Sequence, residues 1–317
     1  MDNLKSVIKS LNKEVKFFDD FKNNNLWDKE LINQEFNSVR ITTNYINYYN
    51  VFFEADSNYS FKLNINHSFL VNIIFFNKDK IVLFDPVSNK LFEKYKSPFE
   101  KFYKNFIKYL YEITNKKIIA YSLPYYEKKI DFYFLIISKY RKLNTSFDIF
   151  INLKPNTKEI WSSLRKSYKA LINRANSKLK FNVLENSLHV KSLKNLHIKV
   201  SVKITKNDQT WSIQKKMIDD SQAIIFEISY EKQTLGMSFF TYDTTTAYYD
   251  VGVYDRELTK KHFTTHFMLW NAITYFKKNG ISKIYLDKMN YSKDSKINDI
   301  VNFKLGFSNE KVLSTFF

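Results

Sequence analysis

The apolar positions of this chain show two spacings. They alternate with polar positions in short runs, and they recur every three or four residues in longer runs. Alternation predicts half-buried strands, and the longer steps predict amphipathic helices. In the first half we therefore predict helices over 4–21 and 99–114. The predicted strands of this half are 50–53, 60–65, 69–76, 80–85, 117–123 and 132–137.

An alternating strand over 147–153 leads into one predicted helix over 158–180, which carries a single apolar stripe. The stripe consists of Trp161, Leu164, Tyr168, Leu171, Ala175 and Leu179. Basic residues lie largely off this stripe. That basic face is either simply solvated, or it contacts phosphate groups, tRNA or an acidic membrane surface. The sequence pattern alone does not distinguish among these interpretations.

The last third predicts the order β-β-β-α-β-α-β. Its elements are strands over 223–230, 234–242 and 246–254, a long helix over 259–278, a strand over 283–287, a helix over 296–305 and a strand over 311–316. Asn279-Gly280 supplies a left-handed stop for the long helix, and Gly306 ends the short one. The chain is thus predicted to be an α/β (α+β) protein of two domains, 1–150 and 151–317.

Charge is concentrated in one segment. The 317 residues include 50 Lys plus Arg and 32 Asp plus Glu, for a formal net charge of +18. Residues 154–206 hold 13 basic and two acidic side chains. Part of the lysine excess fits a biased coding composition, but a localised excess creates a field that attracts an anionic partner.

Several classes of protein are excluded. Without cysteine there is no disulfide, no thiolate nucleophile and no Cys-bound zinc. No glycine precedes Gly236, which excludes glycine-loop nucleotide sites from the first two thirds. No apolar run approaches the roughly 18 residues of a membrane span, and the N-terminal residues lack the pattern of a signal peptide. We therefore expect a cytoplasmic protein without a transmembrane segment.

His262 and His266 form a histidine pair at i, i+4 spacing, which predicts both rings on one face of the long helix. A zinc site needs further ligands, and position 263 is Phe, where the His-Glu-x-x-His motif has Glu. We predict no metal site.

The order strand, long helix ending in Asn-Gly, strand, short helix ending in Leu-Gly-Phe, strand resembles the GNAT superfamily of N-acyltransferases. Within it, residues 160–175 look like the entry segment of the Fem-type family, the peptidoglycan-bridge aminoacyltransferases and their relatives. Phe303-Lys304-Leu305-Gly306-Phe307 looks like that family's Phe-Lys motif. The resemblance covers residues 147–317, and by analogy with Fem-type proteins it implies two GNAT-like halves, the C-terminal one with a mixed central sheet flanked by helices.

The resemblance implies a set of site residues. Lys304 would stabilise the oxyanion of acyl transfer, and Asp250 and Asp287, at strand ends, would orient or deprotonate an amine. The expected donor-binding residues are Arg256, Lys260, Lys261 and His262. The expected acceptor- or anion-binding residues are Arg165, Tyr168, Arg174, Tyr254 and Tyr285.

Two departures from the superfamily pattern stand out. Residues 254–262, where GNAT enzymes hold the pyrophosphate on a Gly-rich loop, contain no glycine, and Asn302 replaces a tyrosine that often serves as general acid.

The function expected from the resemblance is N-acyl transfer. The donor would be an anionic carrier (acyl-CoA, acyl carrier protein or aminoacyl-tRNA), used as co-substrate with no tightly bound cofactor. The acceptor would be an amino group of a cell-envelope precursor, such as an amino sugar or a peptidoglycan peptide. The alternative is a non-catalytic basic protein that contacts nucleic acid, or peripherally an acidic membrane surface, through helix 158–180.

Overall fold

The computed structural model of the protein describes residues 2–21, 24–34, 36, 38–66, 68–89, 96–114, 116–121, 123, 135–140, 144–201, 206–289 and 295–316. The chain divides into two compact units, one of Met1–Ser146 with Ser314–Phe317 and the other of Phe147–Leu313. Both units mix helices and strands, which confirms the predicted fold class.

The first unit contains four-stranded sheets and helices. Its helices are α1 (Asp2–Leu11), α2 (Asn24–Asn33), α3 (Thr43–Phe52) and α4 (Lys96–Ile113), with 3-10 helices at Phe18–Asp20 and Val39–Ile41. Its strands are β1 (Val15–Phe17), β2 (Ser57–Asn58), β3 (Phe61–Ile65), β4 (Ser68–Asn72), β5 (Ile74–Phe76), β6 (Lys80–Phe84), β7 (Val87–Ser88) and β8 (Lys117–Tyr121). In the part of the chain that the structure describes, these strands form two sheets, ordered β1-β3-β4-β7 and β2-β5-β6-β8.

The core of the first unit follows from the apolar stripe of α4. Phe102 and Phe106, one turn apart, both pack edge-on against Phe61 of β3, with ring centroids 5.8 and 5.7 Å away. All three rings are buried. The stripe that predicted this helix is therefore the surface that joins it to the sheet.

Three predictions for the first unit need correction. The helix predicted over 4–21 ends at Leu11, and Val15–Phe17 forms a strand paired with β3. The strand predicted over 50–53 is wrong, because those residues belong largely to α3, which buries Tyr45 and Tyr49 one turn apart. Of the strand predicted over 132–137, residues 132–134 lie outside the described residues and 135–137 are helical.

The second unit is built around one large sheet. Its helices are α5 (Thr157–Ser163), α6 (Lys166–Asn176), α7 (His189–Ser201), α8 (Asp208–Asp219), α9 (Arg256–His262), α10 (Thr264–Lys278) and α11 (Ser295–Leu305). Its strands are β9 (Asn144–Asn152), β10 (Lys180–Leu184), β11 (Ala223–Tyr230), β12 (Gln233–Tyr242), β13 (Thr246–Tyr254), β14 (Lys283–Met289) and β15 (Glu310–Phe316).

Over the described ranges this sheet has seven strands in the order β10-β11-β12-β13-β14-β9-β15. The strands from β10 to β13 pair antiparallel, β13 pairs parallel with β14, and β14 pairs antiparallel with β9. The mixed central sheet expected for the C-terminal half is thus present. Alternate residues of β11 (Ile224, Phe226 and Ile228) pack with α6 and α10 in one core.

Two predicted helices are each broken in the structure. The segment 158–180 forms α5 and α6, since Leu164 and Arg165 adopt extended backbone angles between them. The segment 259–278 lies in α9 and α10, which meet at Phe263 in the left-handed region, with φ of 55°. A side chain at positive φ interrupts a helix even where apolar spacing continues through it.

The sequence prediction missed β10, α7 and α8, which occupy most of residues 180–219. The helix α7 buries only Val190 and Leu193 among its 13 residues, whereas α8 buries Trp211, Met217 and Ile218 among its 12. Val190, Leu193, Leu196 and Val200 nevertheless stand at helical spacing, a signal in the sequence that could have predicted α7.

Candidate active site

The parallel pair at the centre of the sheet opens into a fork. β13 and β14 are in register at three positions only, ending with Tyr248 opposite Tyr285. β13 nevertheless continues to Tyr254, and β14 continues to Met289. We call the place where their pairing ends the fork. Beyond the fork, β13 stays paired with β12 and β14 with β9, but the edges that the two strands turn towards each other no longer pair and are available to a ligand.

Lys304 and Asp287 meet at the fork. Lys304 lies in the last turn of α11 and Asp287 lies on β14 just beyond the last paired residue. Lys304 Nζ donates to Asp287 Oδ2 at 2.5 Å, and the same ammonium lies 5.7 Å from the centroid of the Tyr249 ring. The Lys304 side chain is 11% exposed and that of Asp287 is 46% exposed. A positive charge is therefore held at the fork with limited access to water.

Two tyrosines of β13 complete this group. The hydroxyls of Tyr249 and Tyr254 are 3.0 Å apart and hydrogen bonded. Burial raises the pKa of Tyr249 to about 12, and it raises that of Tyr254 well above its ordinary value. Both are neutral phenols at physiological pH. We call Lys304, Asp287, Tyr249 and Tyr254 the fork cluster.

Glycine is required next to these rings. A Cβ on Gly252 would clash with the Tyr249 hydroxyl, and one on Gly236 would clash with the Tyr254 ring. Two of the four glycines in the chain thus make room for the tyrosine rings at the fork.

Asp250 belongs to a different group. The register between β12 and β13 shifts where Phe239 faces Val251 and Phe240 faces Tyr249, so Asp250 is an extra residue at a β-bulge. Its Oδ2 accepts a hydrogen bond of 2.6 Å from Thr241 Oγ1. Its charge also acts on Lys206.

Lys206 was missed by the sequence prediction and is the most perturbed lysine of this region. Burial lowers the pKa of Lys206 to about 8, against the opposing pull of Asp250. Its Nζ lies 5.2 Å from the ring centroid of Trp211, which also contacts the ring of His197 at 5.4 Å. Burial and the charge of Lys206 lower the pKa of His197. We call Lys206, Asp250, Thr241, His197 and Trp211 the bulge cluster. No sequence motif marks it, because its members come from five separate elements or loops.

Arg165 and Tyr168 brace α11. The Arg165 guanidinium donates to the Tyr168 hydroxyl and to the carbonyl of Asn302, each at 3.3 Å. The Tyr168 hydroxyl donates to the carbonyl of Phe303 at 3.2 Å. A Cβ on Gly306 would clash with the Tyr168 ring. The structure thus ties the entry segment to the helix that carries Lys304, while an anion-binding role for this pair stays a prediction.

The expected donor-binding segment is a short helix and not a loop. Asp255 caps α9 by accepting from the amide of Leu258 at 3.2 Å, and it pairs with Lys199 at 3.0 Å. These bonds lower the pKa of Asp255. The Asp255 carboxylate therefore accepts a hydrogen bond at the end of the helix where an anion would otherwise bind the backbone amides. Arg256 is exposed, and the side chains of Lys260 and Lys261 lie outside the described residues.

The two histidines of this segment do not share a helical face, so that prediction is wrong. The break at Phe263 separates them. His262 packs on Tyr230, with ring centroids 4.7 Å apart, whereas His266 packs on Tyr168 at 4.5 Å. Burial lowers the pKa of His266 to about 4, so it is neutral at physiological pH. In the described ranges no three His, Asp or Glu side chains converge as a metal site would require.

The remaining expected residues lie apart from the fork cluster. Arg174 is exposed on α6. The Tyr285 ring packs between Phe150 and Tyr248, with centroids at 5.3 and 6.1 Å. Its hydroxyl donates a long hydrogen bond of 3.5 Å to Asp148 Oδ1. No helix among the described residues has the length and apolarity needed to cross a membrane.

Comparison with solved structures identifies the fold. No protein-family model and no curated protein matches the chain. The crystal structure of FemX matches with a TM-score of 0.64 at 10% identity, over 93% of this chain and 95% of that one. The predicted Fem-type, GNAT-like fold is confirmed.

Two other structures agree. A conserved protein of unknown function from Bacteroides thetaiotaomicron matches with a TM-score of 0.59 at 11% identity, over 95% of this chain and 98% of that one. The C-terminal domain of a putative lysylphosphatidylglycerol synthetase from Agrobacterium fabrum matches with a TM-score of 0.52 at 11% identity, over 78% of this chain and 79% of that one. At these identities the likeness concerns the fold.

Proposed function

We propose that this protein is an N-acyltransferase and that acyl transfer takes place at the fork. The observation that carries the proposal is the Lys304 ammonium, 11% exposed, held by Asp287 and the Tyr249 ring where the parallel strands part. The fold shared with FemX over 93% of this chain supports it.

Lys304 would act as the oxyanion group. When an amine attacks an acyl carbonyl, negative charge develops on the carbonyl oxygen, and a fixed cation in a poorly hydrated place stabilises that charge. Asp287 fixes the ammonium on one side, leaving its other N–H groups to donate to the substrate. The Tyr249 ring below it contributes a cation–π contact that needs no reorganisation during the reaction.

The attacking amine must lose a proton, and the candidate groups for orienting the amine and accepting its proton are Asp287 and Lys206. Asp287 is half exposed and close to Lys304, so it suits orientation of an ammonium group. Lys206 of the bulge cluster, whose pKa burial lowers to about 8, would be the second candidate for a substrate whose amine reaches the bulge of β13. Asp250 would hold Lys206 in place.

For the donor, the expected anionic carriers are acyl-CoA, acyl carrier protein and aminoacyl-tRNA. The backbone amides at the start of α9 are poorly placed to bind a pyrophosphate, because the Asp255 carboxylate already accepts from the Leu258 amide there. The basic excess of residues 154–206 and the resemblance of residues 160–175 to the peptidoglycan-bridge aminoacyltransferases favour aminoacyl-tRNA. The acceptor would be an amino sugar or a peptide of a cell-envelope precursor.

The test is product formation. The full chain is incubated with a panel of acyl-CoAs and charged tRNAs and a panel of amino sugars and peptides, and products are detected by mass spectrometry. We expect an acylated amine with the native protein and none with Lys304→Ala. A protein that binds tRNA with a steep salt dependence but yields no product would instead be the non-catalytic basic binder. Absence of tRNA binding at low salt would exclude the tRNA donor.

A further inference from the structure

A surface groove of the second unit is lined by two tryptophans that contact each other. It has a volume of about 400 Å³, at the lower end of the roughly 300–1,000 Å³ typical of ligand pockets. Trp161 of α5 and Trp270 of α10 are partly buried, and their ring centroids are 4.7 Å apart at an interplanar angle of 63°. The groove, which we call the Trp161 groove, is lined by Thr157, Lys158, Trp161, Ser162, Asn173 and Trp270.

The lining combines indole faces with groups that both donate and accept hydrogen bonds. Thr157, Ser162 and Asn173 supply hydroxyl and amide groups along the groove. The negative face of an indole attracts polarised C–H bonds. A pyranose ring offers this complement, with C–H bonds on its faces and hydroxyls at its rim. The edge-to-face tryptophans do not form the parallel plates that would enclose a flat base between them.

The electrostatics of the groove select an anion. Lys158 lines it and is exposed, and Lys169 Nζ donates to the Ser162 carbonyl at 2.8 Å, which places a second ammonium beside it. Residues 154–180 contain eight basic side chains and one acid, Glu159. That acid is engaged in the cap of α5, where its Oε2 accepts from the amide of Asn156 at 2.9 Å. A carboxylate or phosphate on the bound ring would find no competing carboxylate on this segment.

We propose that the Trp161 groove binds a sugar ring that carries a carboxylate or phosphate, separately from acyl transfer at the fork. Trp161 and Trp270 would contact the face of the ring, Asn173 and the hydroxyls would bond its rim, and Lys158 would pair with its charge. The groove lies on α5, α6 and α10, whereas the fork cluster lies on β13, β14 and α11, so the proposal does not depend on the acyltransferase activity.

The test uses a matched pair of probes, glucuronic acid and glucose, on the full chain. Of the four tryptophans, Trp27 and Trp211 are buried, so shielding from acrylamide quenching reports on the groove. We expect glucuronic acid to bind about three- to fivefold more tightly than glucose, the worth of one exposed ion pair. Lys158→Gln should abolish that ratio, and Trp161→Ala should weaken both sugars about tenfold.

Two further variants keep the test independent of folding. Asn173→Ala, at an exposed position, should weaken both sugars, and Lys178→Gln, an exposed lysine of the same basic segment outside the groove lining, should leave both affinities unchanged. Equal loss with Lys178→Gln would show diffuse charge and overturn the proposal. So would the absence of shielding by either sugar. Stronger shielding by oligothymidylate than by glucuronic acid would assign the groove to nucleic acid.

Discussion

The fork cluster and the bulge cluster each place a lysine near an aspartate and an aromatic ring, yet the aspartate has a different partner in each cluster. At the fork, the Lys304 ammonium donates to a carboxylate at 2.5 Å and lies 5.7 Å from the centroid of an aromatic ring. At the bulge, Asp250 is bonded to Thr241, and burial outweighs its pull on Lys206. The same three residue types are thus arranged in different ways at the two places, so residue type alone does not predict the environment of a lysine.

The largest effect is expected at Lys304. Lys304→Ala removes the oxyanion cation and should lower turnover about 10²- to 10³-fold, as loss of one oxyanion-hole donor does. Thermal stability should change little, because Asp287 is 46% exposed and water can solvate its carboxylate. Turnover and thermal melting are measured on the same preparation. Lys278→Ala, an exposed lysine at the end of α10, is the control; unchanged turnover in Lys304→Ala would remove Lys304 from the chemistry.

The second-largest effect is expected at Lys206, on the pH dependence of the free energy of unfolding. The pKa of a lysine in the unfolded chain is about 10.4, and that of Lys206 in the folded protein is about 8. Between these values the unfolded chain binds more protons, so the free energy of unfolding should rise with pH from about 8 towards 10.4. The burial penalty is fully present below pH 8. Lys206→Met should flatten this slope, which urea denaturation at several pH values measures.

The control for this prediction is Lys191→Met, an exposed lysine of α7, which should keep the native slope. If Lys206→Met and the native protein show the same pH dependence, Lys206 is an ordinary ammonium, and the contrast between the two clusters disappears.

A moderate effect is expected from adding one carbon at Gly252. The Cβ of Gly252→Ala would clash with the Tyr249 hydroxyl, and the ring is also fixed by Tyr254 and by Phe240, whose centroid is 5.0 Å away. Overpacking of this kind costs about 1–3 kcal/mol. Displacement of the ring under Lys304 should also lower turnover. Denaturant unfolding and turnover are measured together.

Gly280→Ala separates packing from backbone strain. Gly280 has φ of 80° and no atom within 4 Å of an added Cβ, so this variant should cost about 1 kcal/mol from strain alone and leave turnover unchanged. A loss of turnover in Gly280→Ala as large as that in Gly252→Ala would contradict the proposed place of Tyr249.

The smallest effect is expected at Tyr254. Tyr254→Phe removes its hydrogen bond with Tyr249 and should cost about 1 kcal/mol of stability. Because burial holds its pKa well above the ordinary range, Tyr254 is a poor proton donor, and turnover should stay close to that of the native protein. A large loss of turnover would make Tyr254 part of the chemistry and would enlarge the fork cluster.

The sequence predicted best where a local pattern and its packing agree. The strands over 223–230 and 246–254 have the predicted bounds, because alternation and turn residues define them locally. The two broken helices were predicted as continuous, since nothing local to Phe263 or Leu164 requires a break. The helix α7 was missed although Val190, Leu193, Leu196 and Val200 stand at helical spacing.

The candidate site also contains some residues that the sequence identified and others that it did not. Lys304 and Asp287 were identified by resemblance, and the structure brings them together. Lys206 carried no signal, because its pKa depends on its burial, beside Trp211, and on the charge of Asp250 in β13. Arg165 and Tyr168 lie in a recognisable motif, yet their contacts with Asn302 and Phe303 explain the motif as a brace.

The sequence by itself determined the fold class, the order of elements in the last third and the segment where charge collects. These properties depend on local periodicity and composition, which each stretch of chain carries on its own. Tertiary structure alone decided that β13 and β14 part after three pairs, that Lys304 meets Asp287 there, and that Trp161 meets Trp270. Each of these facts joins residues far apart in the chain, and the ionisation of a side chain depends on the desolvation and charges that such neighbours bring.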